Sequence, residues 1–394
     1  MGQGNRFPDC AAWSFHHPLL VSPLPVPHFS SVQLQAFRGL RKVTLDGCAD
    51  INLLIGKNNS GKTTVLEALA LLCRPDDIAW WIDSAWPREI KSARTPVREV
   101  VKLLFPHYDA AAQDELFAGA LKISAKFDGP NSSRELDAQI LEQKLATRDL
   151  DYFKASRSDG TRNVPPQAES QTSIAAELSI SVHLDSDQIF GRWHQFSEDG
   201  ALPYPSGDPN LRVPCTYVTT VAHRTESLAD QVGVALLKNR REQLTELLRG
   251  FQPTLITFEA IPKPGQSAQI WLQDQASGWL PLSVAGDGLR RAFHFAVATA
   301  NAGNGVLLVD EIESALHVSA LREVFGFLVG ECRSLGVQLF ATTHSLETLD
   351  AIVEESGGAN ESVVAFILNR DGPARRLEGK RLRRLRDEYG FDLR

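Results

Sequence analysis

Gly56-Lys57-Asn58-Asn59-Ser60-Gly61-Lys62-Thr63 fits the pattern G-x-x-x-x-G-K-S/T, in which a glycine-rich loop wraps a phosphate chain. Its flanks fit as well. Ile51 to Ile55 is an apolar run of strand length, and Thr64-Val65-Leu66-Glu67-Ala68-Leu69-Ala70-Leu71-Leu72 reads as a helix, so the loop is expected between a buried strand and a helix N-terminus. The loop N–H groups and the positive end of the helix can together surround the β- and γ-phosphates of a nucleotide. In that reading Gly56, Lys57, Asn58, Asn59, Ser60, Gly61, Lys62, Thr63 and Thr64 bind the nucleotide. Lys62 neutralises phosphate charge, Thr63 offers its hydroxyl to Mg²⁺, and Gly56 and Gly61 allow an approach that a Cβ would block.

The 394 residues, 43% of them apolar and 23% charged, suffice for two or three domains with a sizeable core. No run of about 18 apolar residues occurs, so no membrane span is expected. Residues 1–30, with Pro23, Pro25 and Pro27 after a short apolar patch, read as a loose extension rather than a signal peptide. Cys10, Cys48, Cys73, Cys215 and Cys332 are odd in number, scattered, and contain no C-x-x-C pair, which suggests neither a disulfide framework nor a zinc site; a cytoplasmic protein is the default. The formal net charge is -7, but residues 375–394 alone carry eight basic and four acidic groups. This basic tail (Arg375, Arg376, Lys380, Arg381, Arg383, Arg384, Arg386, Arg394) is either a patch for phosphate backbone or an acidic partner, or the solvated face of a short helix bearing Leu382 and Leu385.

Residues 31–74 read as two strands, the loop and its helix; residues 75–215 as an insertion; residues 216–394 as a second chemically dense block. Within the insertion, Leu121 to Phe127 and Ala175 to Leu184 pattern as strands, Ser133 to Thr147 as a helix, and Ser156 to Ser173 as a polar loop. Ser227 to Arg249 follows as a helix with a break, then two strands over Thr254 to Ala260 and Ala268 to Gln273.

Gly305-Val306-Leu307-Leu308-Val309-Asp310-Glu311 is an apolar strand ending in two carboxylates, a costly arrangement at the strand end where parallel sheets bind ligands. Asp310 is placed to hold Mg²⁺, and Glu311 to activate the attacking water as general base. Val337 to Thr343 is a further apolar strand that runs into His344, whose imidazole can donate to a γ-phosphate. Leu282-Ser283-Val284-Ala285-Gly286-Asp287-Gly288 precedes a helix over Leu289 to Ala300 and could present Ser283, Gly286, Gly288 and N–H groups to phosphate.

In order and content these blocks resemble the ATP-binding cassette ATPases of the RecF, SMC and OLD type. The resemblance is carried by Ala36-Phe37-Arg38-Gly39-Leu40, the loop with its double asparagine, Val306 to Glu311 continuing as Ile312-Glu313-Ser314-Ala315-Leu316-His317, and Ala341-Thr342-Thr343-His344-Ser345. It covers about half the chain and implies an α/β P-loop NTPase head of cassette type, with an added β-rich lobe at its front and an α+β insertion. It also implies ATP and Mg²⁺ as cofactors and a head-to-tail, ATP-dependent homodimer. In that dimer Lys62 and Thr63 would act in cis, Ser283, Gly286 and Gly288 in trans, and Ser314 to His317 would sense the partner. The signature Ser283-Val284-Ala285-Gly286-Asp287-Gly288 departs from the compact serine-glycine-glycine form of transporters.

Lys62 and Ser283 lie 221 residues apart, too far for a transporter ATPase, and the interval contains no long heptad array of a full SMC protein. About 50 residues follow His344, too few for the nuclease domain of OLD enzymes. The expectation is an ATPase switch that controls a separate effector protein or nucleic acid, in phage defence or genome maintenance. Alternatives are a RecF-like repair ATPase on duplex DNA and an ATP-binding scaffold with little turnover.

Overall fold

The computed structural model describes residues 28–85, 96–106, 116–128, 133–146, 172–196, 211–225, 228–237, 239–263, 266–356, 362–369, 372–379 and 381–382. The expected extension lies outside these up to residue 27, as do most of the polar loop at 156–173 and the tail beyond Leu382.

Strands β1 (Phe29–Phe37) and β2 (Leu40–Asp46) form a hairpin, and β3 (Ile51–Ile55) leads into the phosphate-loop helix Lys62–Cys73. Short helices Ile78–Ala85 and Val97–Lys102 precede β4 (Ala118–Phe127), β5 (Ser133–Ala146), β6 (Thr172–Leu184) and β7 (Asp187–Phe196). After β8 (Cys215–Val218) come helices Ala222–Thr225, Ala229–Leu237 and Arg241–Phe251, then β9 (Leu255–Lys263), β10 (Gln266–Asp274) and β11 (Gly278–Pro281). Helix Asp287–Asn301, β12 (Val306–Val309), helix Leu321–Ser334, β13 (Gln338–Thr342), helix Leu346–Glu355, β14 (Val363–Ile367) and β15 (Arg375–Glu378) follow.

β15-β14-β3-β13-β12-β8 is a six-stranded sheet, parallel throughout except for the edge strand β15. Its strands are apolar on both faces, as a doubly covered parallel sheet requires. Ile51, Leu53 and Ile55 of β3 face one core with helices Asp287–Asn301, Leu321–Ser334 and Leu346–Glu355, while Leu54 faces the other with the phosphate-loop helix. That helix is apolar nearly all round, with Val65, Leu66 and every residue from Ala68 to Cys73 at 0% exposure, because a second sheet covers its far side. The second sheet, β2-β1-β4-β5-β6-β7, is antiparallel and joins the leading hairpin to the strands of the insertion. Each leucine or valine removed from water in this layered core contributes about 1.5–3 kcal/mol. The remaining sheet, β11-β10-β9, packs beside helices Ala229–Leu237 and Arg241–Phe251.

Three sequence expectations need correction. Ser133 to Thr147 is not helical: its described residues form β5, paired in register with β4 and β6. Leu136, Ala138 and Ile140 alternate inward, and pairing on both edges overrides the helix-favouring Glu, Gln, Lys and Leu composition. The helix expected over Ser227 to Arg249 is two helices, broken at Asn239, whose φ of 58° is left-handed. Arg375 and Arg376 lie on strand β15 rather than a helix face, whereas Leu382 is helical and buried against the core, as an apolar stripe should be.

Candidate nucleotide site

β13 lies between β3 and β12, so three adjacent parallel strands end side by side in the phosphate loop, the Thr343-His344 segment and Asp310-Glu311. This is the sheet edge where open α/β folds take ligands.

The loop depends on two glycines. Gly56 has φ 146°, and a Cβ there would meet the Leu368 carbonyl oxygen at 2.8 Å and Ser60 Oγ at 2.9 Å. Gly61 has φ 92°, and a Cβ would run into Leu40, so the β1–β2 hairpin is seated directly on the loop. Arg38 in the same hairpin turn pairs with the buried Glu67 of the phosphate-loop helix at 3.3 Å. Gly61 caps that helix without a side-chain acceptor, which leaves its first N–H groups for an external anion. Lys57, Asn58 and Asn59 are exposed, Thr64 is half-buried, and Ser60 is buried with no hydrogen-bond partner for Oγ among the described residues.

Lys62 is also buried, and its Nζ donates to the Gly56 carbonyl at 2.8 Å and the Lys57 carbonyl at 3.0 Å. Burial lowers its pKa, opposed by the carboxylates of Asp310, Glu311 and Glu313. Thr63 Oγ1 donates to Asp310 Oδ1 at 2.9 Å, and Thr342 Oγ1 donates to the same oxygen at 2.8 Å. Thr342 Oγ1 accepts from the Glu311 amide at 2.7 Å. Thr220, just past β8, reaches Asp310 Oδ2 at 3.5 Å. Glu311 itself has φ 46°, a left-handed backbone unusual for a residue with a side chain. His344 shares a cleft with Ile55, Gly56 and Thr343, and its amide donates to Glu313 Oε1 at 2.7 Å.

The structure therefore brings together Gly56, Lys62, Thr63, Asp310, Glu311 and His344. The signature residues lie apart. Ser283 and Gly286 face solvent, a Cβ at Gly288 would lie 3.4 Å from the Ala315 carbonyl oxygen, and Asp287 pairs with Arg224 while Arg290 reaches the His223 carbonyl. Sequence reasoning missed Thr342, Thr220 and Arg291. Arg291 is fully buried and donates to the Asp310 carbonyl at 3.0 Å; its signal was a charge amid the apolar helix residues Ala292, Phe293, Phe295 and Ala296.

The residues fit ATP with Mg²⁺ on this structure's own features. The tight loop path holds only with glycine at 56 and 61, Ser60 Oγ is a buried hydroxyl without a partner among the described residues, and a desolvated ammonium stands near three carboxylates. Thr63 Oγ1 with the Asp310 carboxylate is the hard-oxygen donor set that Mg²⁺ takes.

The family described as "AAA domain, putative AbiEii toxin, Type IV TA system" matches residues 51–350. A Helicobacter pylori protein named ATP/GTP phosphatase is 23% identical over 377 residues, covering 86% of this chain and 92% of that protein. The DNA replication and repair protein RecF of Saccharophagus degradans is 43% identical over 51 residues, 12% of this chain and 14% of its own length. An Smc head solved bound to the C-winged helix domain of ScpA covers 89% of this chain and 98% of that chain at 12% identity, with a TM-score of 0.48. With three quarters of its length matched and the site assembled as above, the chain belongs to this AAA-domain family and is an ABC-type P-loop ATPase of the RecF/SMC group.

Proposed function

We propose that the protein hydrolyses ATP to ADP and phosphate, dimerises head to tail around ATP, and uses that cycle to control a separate effector protein or nucleic-acid partner in phage defence or genome maintenance. The observation that carries the reading is the shared Asp310 oxygen. Thr63 from the phosphate loop and Thr342 from β13 both donate to Oδ1, and the Glu311 amide donates to Thr342, so the metal ligands and the base form one hydrogen-bonded unit.

The loop amides and Lys62 bind the phosphates, and Thr63 with Asp310 would hold Mg²⁺, which when bound offsets phosphate charge. Glu311 takes a proton from the attacking water as oxygen bonds the γ-phosphorus and the bond to the β–γ bridging oxygen breaks. His344 donates to the γ-phosphate and distinguishes ATP from ADP. The exposed signature residues Ser283 and Gly286, remote from their own loop's contacts, are free to meet the nucleotide of a second copy.

Light scattering of Glu311→Gln tests this reading. A rise to twice the molar mass on adding ATP and Mg²⁺ supports the shared-site dimer, and an unchanged monomer mass rules it out. A RecF-like action on DNA is a second reading, supported by the exposed Arg375, Arg376 and Arg381 on the described part of the basic tail. A salt-sensitive further shift with duplex DNA would favour it.

Among the described residues no helix is long and apolar enough to cross a membrane.

A further inference from the structure

Arg291 lies on helix Asp287–Asn301, one turn beyond the signature, and its guanidinium clamps the ends of two neighbouring parallel strands. Nη1 donates to the Thr219 carbonyl at 2.6 Å and the Thr220 carbonyl at 3.4 Å, past β8. Nη2 donates to the Asp310 carbonyl at 3.0 Å and the Glu311 carbonyl at 3.3 Å, past β12. The sheet ladder gives out here, with Asp310 N donating to the Val218 carbonyl at 2.9 Å as its last bond. The arginine takes over where the ladder stops.

A fully buried guanidinium is expensive, and an apolar side chain would pack the same helix face without that cost. What it holds accounts for the expense. Glu311 has a left-handed backbone, φ 46°, which a residue with a side chain keeps only where its surroundings hold it. Its amide is fixed by Thr342 and its carbonyl by Arg291 and by Ser314 N at 2.8 Å. The other end of the same lever is the signature. Asp287, the first residue of the helix, is held by Arg224 and by Arg290, the latter at 3.2 Å, and Arg290 reaches the His223 carbonyl at 2.7 Å. The helix, the segment after β8 and the strand end after β12 are thereby joined as one body.

We propose that Arg291 is a positioning residue that couples the signature helix, in cis, to the backbone of Glu311. Whatever engages the exposed loop from Ser283 to Gly286 is then transmitted to the base of the same chain. In a dimer with two shared sites, one chain's signature closes on one ATP while its Arg291 sets the base for the other, so the two sites are coupled. This rests on the reading of Glu311 as general base.

The test compares Arg291→Met, of similar length without charge, and Arg291→Lys, which keeps the charge but cannot span four carbonyls. A fluorescent ATP analogue reports affinity, and single-turnover hydrolysis reports the chemical step. Affinity is expected to stay within about twofold of wild type while hydrolysis falls about 100-fold for Met and less for Lys. If the Met variant fails to fold, the Lys variant carries the test. Hydrolysis at the wild-type rate, or a loss of affinity in step with hydrolysis, overturns the proposal.

Mixed chains locate the effect. Arg291→Met mixed with Glu311→Gln has no intact site in any dimer and is expected to be no more active than the two variants measured separately. Activity regained on mixing would place the action of Arg291 in trans and overturn the proposal. Glu311→Gln measured alone separates the two ideas: wild-type turnover there removes the base reading and the proposal with it, while slow Glu311→Gln beside fast Arg291→Met removes the proposal alone.

Discussion

The parallel sheet and the antiparallel sheet share a core layer, yet they handle charge differently. In the antiparallel sheet and the helices packed on it, several acids and bases pair directly, while the buried Arg134 donates to the Leu72 carbonyl at 3.0 Å. Glu142 takes Lys102 at 2.9 Å, Arg98 at 3.7 Å and the Phe117 amide at 2.9 Å, and Lys122 pairs with both Glu135 and Asp137 on the outer face. At the C-terminal ends of the parallel strands the polar groups are buried and incompletely matched. Lys62 binds carbonyls near three carboxylates, and Ser60 Oγ has no partner among the described residues. Closed pairs of the first kind contribute little beyond cohesion. Open constellations of the second kind cost stability and mark where a ligand completes the pairing.

That contrast can be broken in graded steps. Lys62→Ala should weaken ATP binding about 100-fold or more, since it removes charge-assisted hydrogen bonds from a water-poor site. Isothermal titration with ATP and Mg²⁺ checks this, and wild-type affinity would refute the phosphate-loop assignment. Leu136→Ala, at a fully buried position on the antiparallel sheet, should cost about 2–5 kcal/mol of unfolding free energy while ATP affinity stays put. A parallel loss of affinity would show that the two sheets are not functionally separable.

The smallest effect concerns pH. His28 and Asp50, 3.5 Å apart, tie the start of β1 to the start of β3. The hydrogen bond to Asp50 raises the His28 pKa above 6.5, so its contribution is complete below 6.5 and is lost as pH rises through the folded value. The same bond holds Asp50 below 3.8, so its contribution is present above 3.8 and is lost as pH falls through the folded value. The pair is therefore strongest between 3.8 and 6.5. His28→Gln should lose about 0.5 kcal/mol or less near pH 5.5 and still less near pH 8, as a half-exposed pair allows. Urea midpoints at both values decide it, and a pH-independent difference would contradict the assignment.

Much of the parallel half was legible in the sequence because its signals are local. An apolar run ending in Gly56, another ending in Asp310-Glu311 and a third ending in Thr343-His344 each announce a strand and its polar terminus. β5 was illegible because its residues favour a helix and only pairing with β4 and β6, set by distant sequence, makes it a strand. Arg291 and Thr342 were missed for a related reason. Their partners lie 19 or more positions away, and a polar residue in an apolar element does not announce what it meets.

The fate of ATP bound to Glu311→Gln tests the central claim most directly. Mixed with radiolabelled ATP and Mg²⁺ and quenched over time, the variant should retain ATP uncleaved for about 100 times longer than wild type or more, with unchanged affinity. ADP appearing at the wild-type rate would remove Glu311 from the chemistry and, with it, the hydrolytic role assigned to the Asp310-Glu311 strand end.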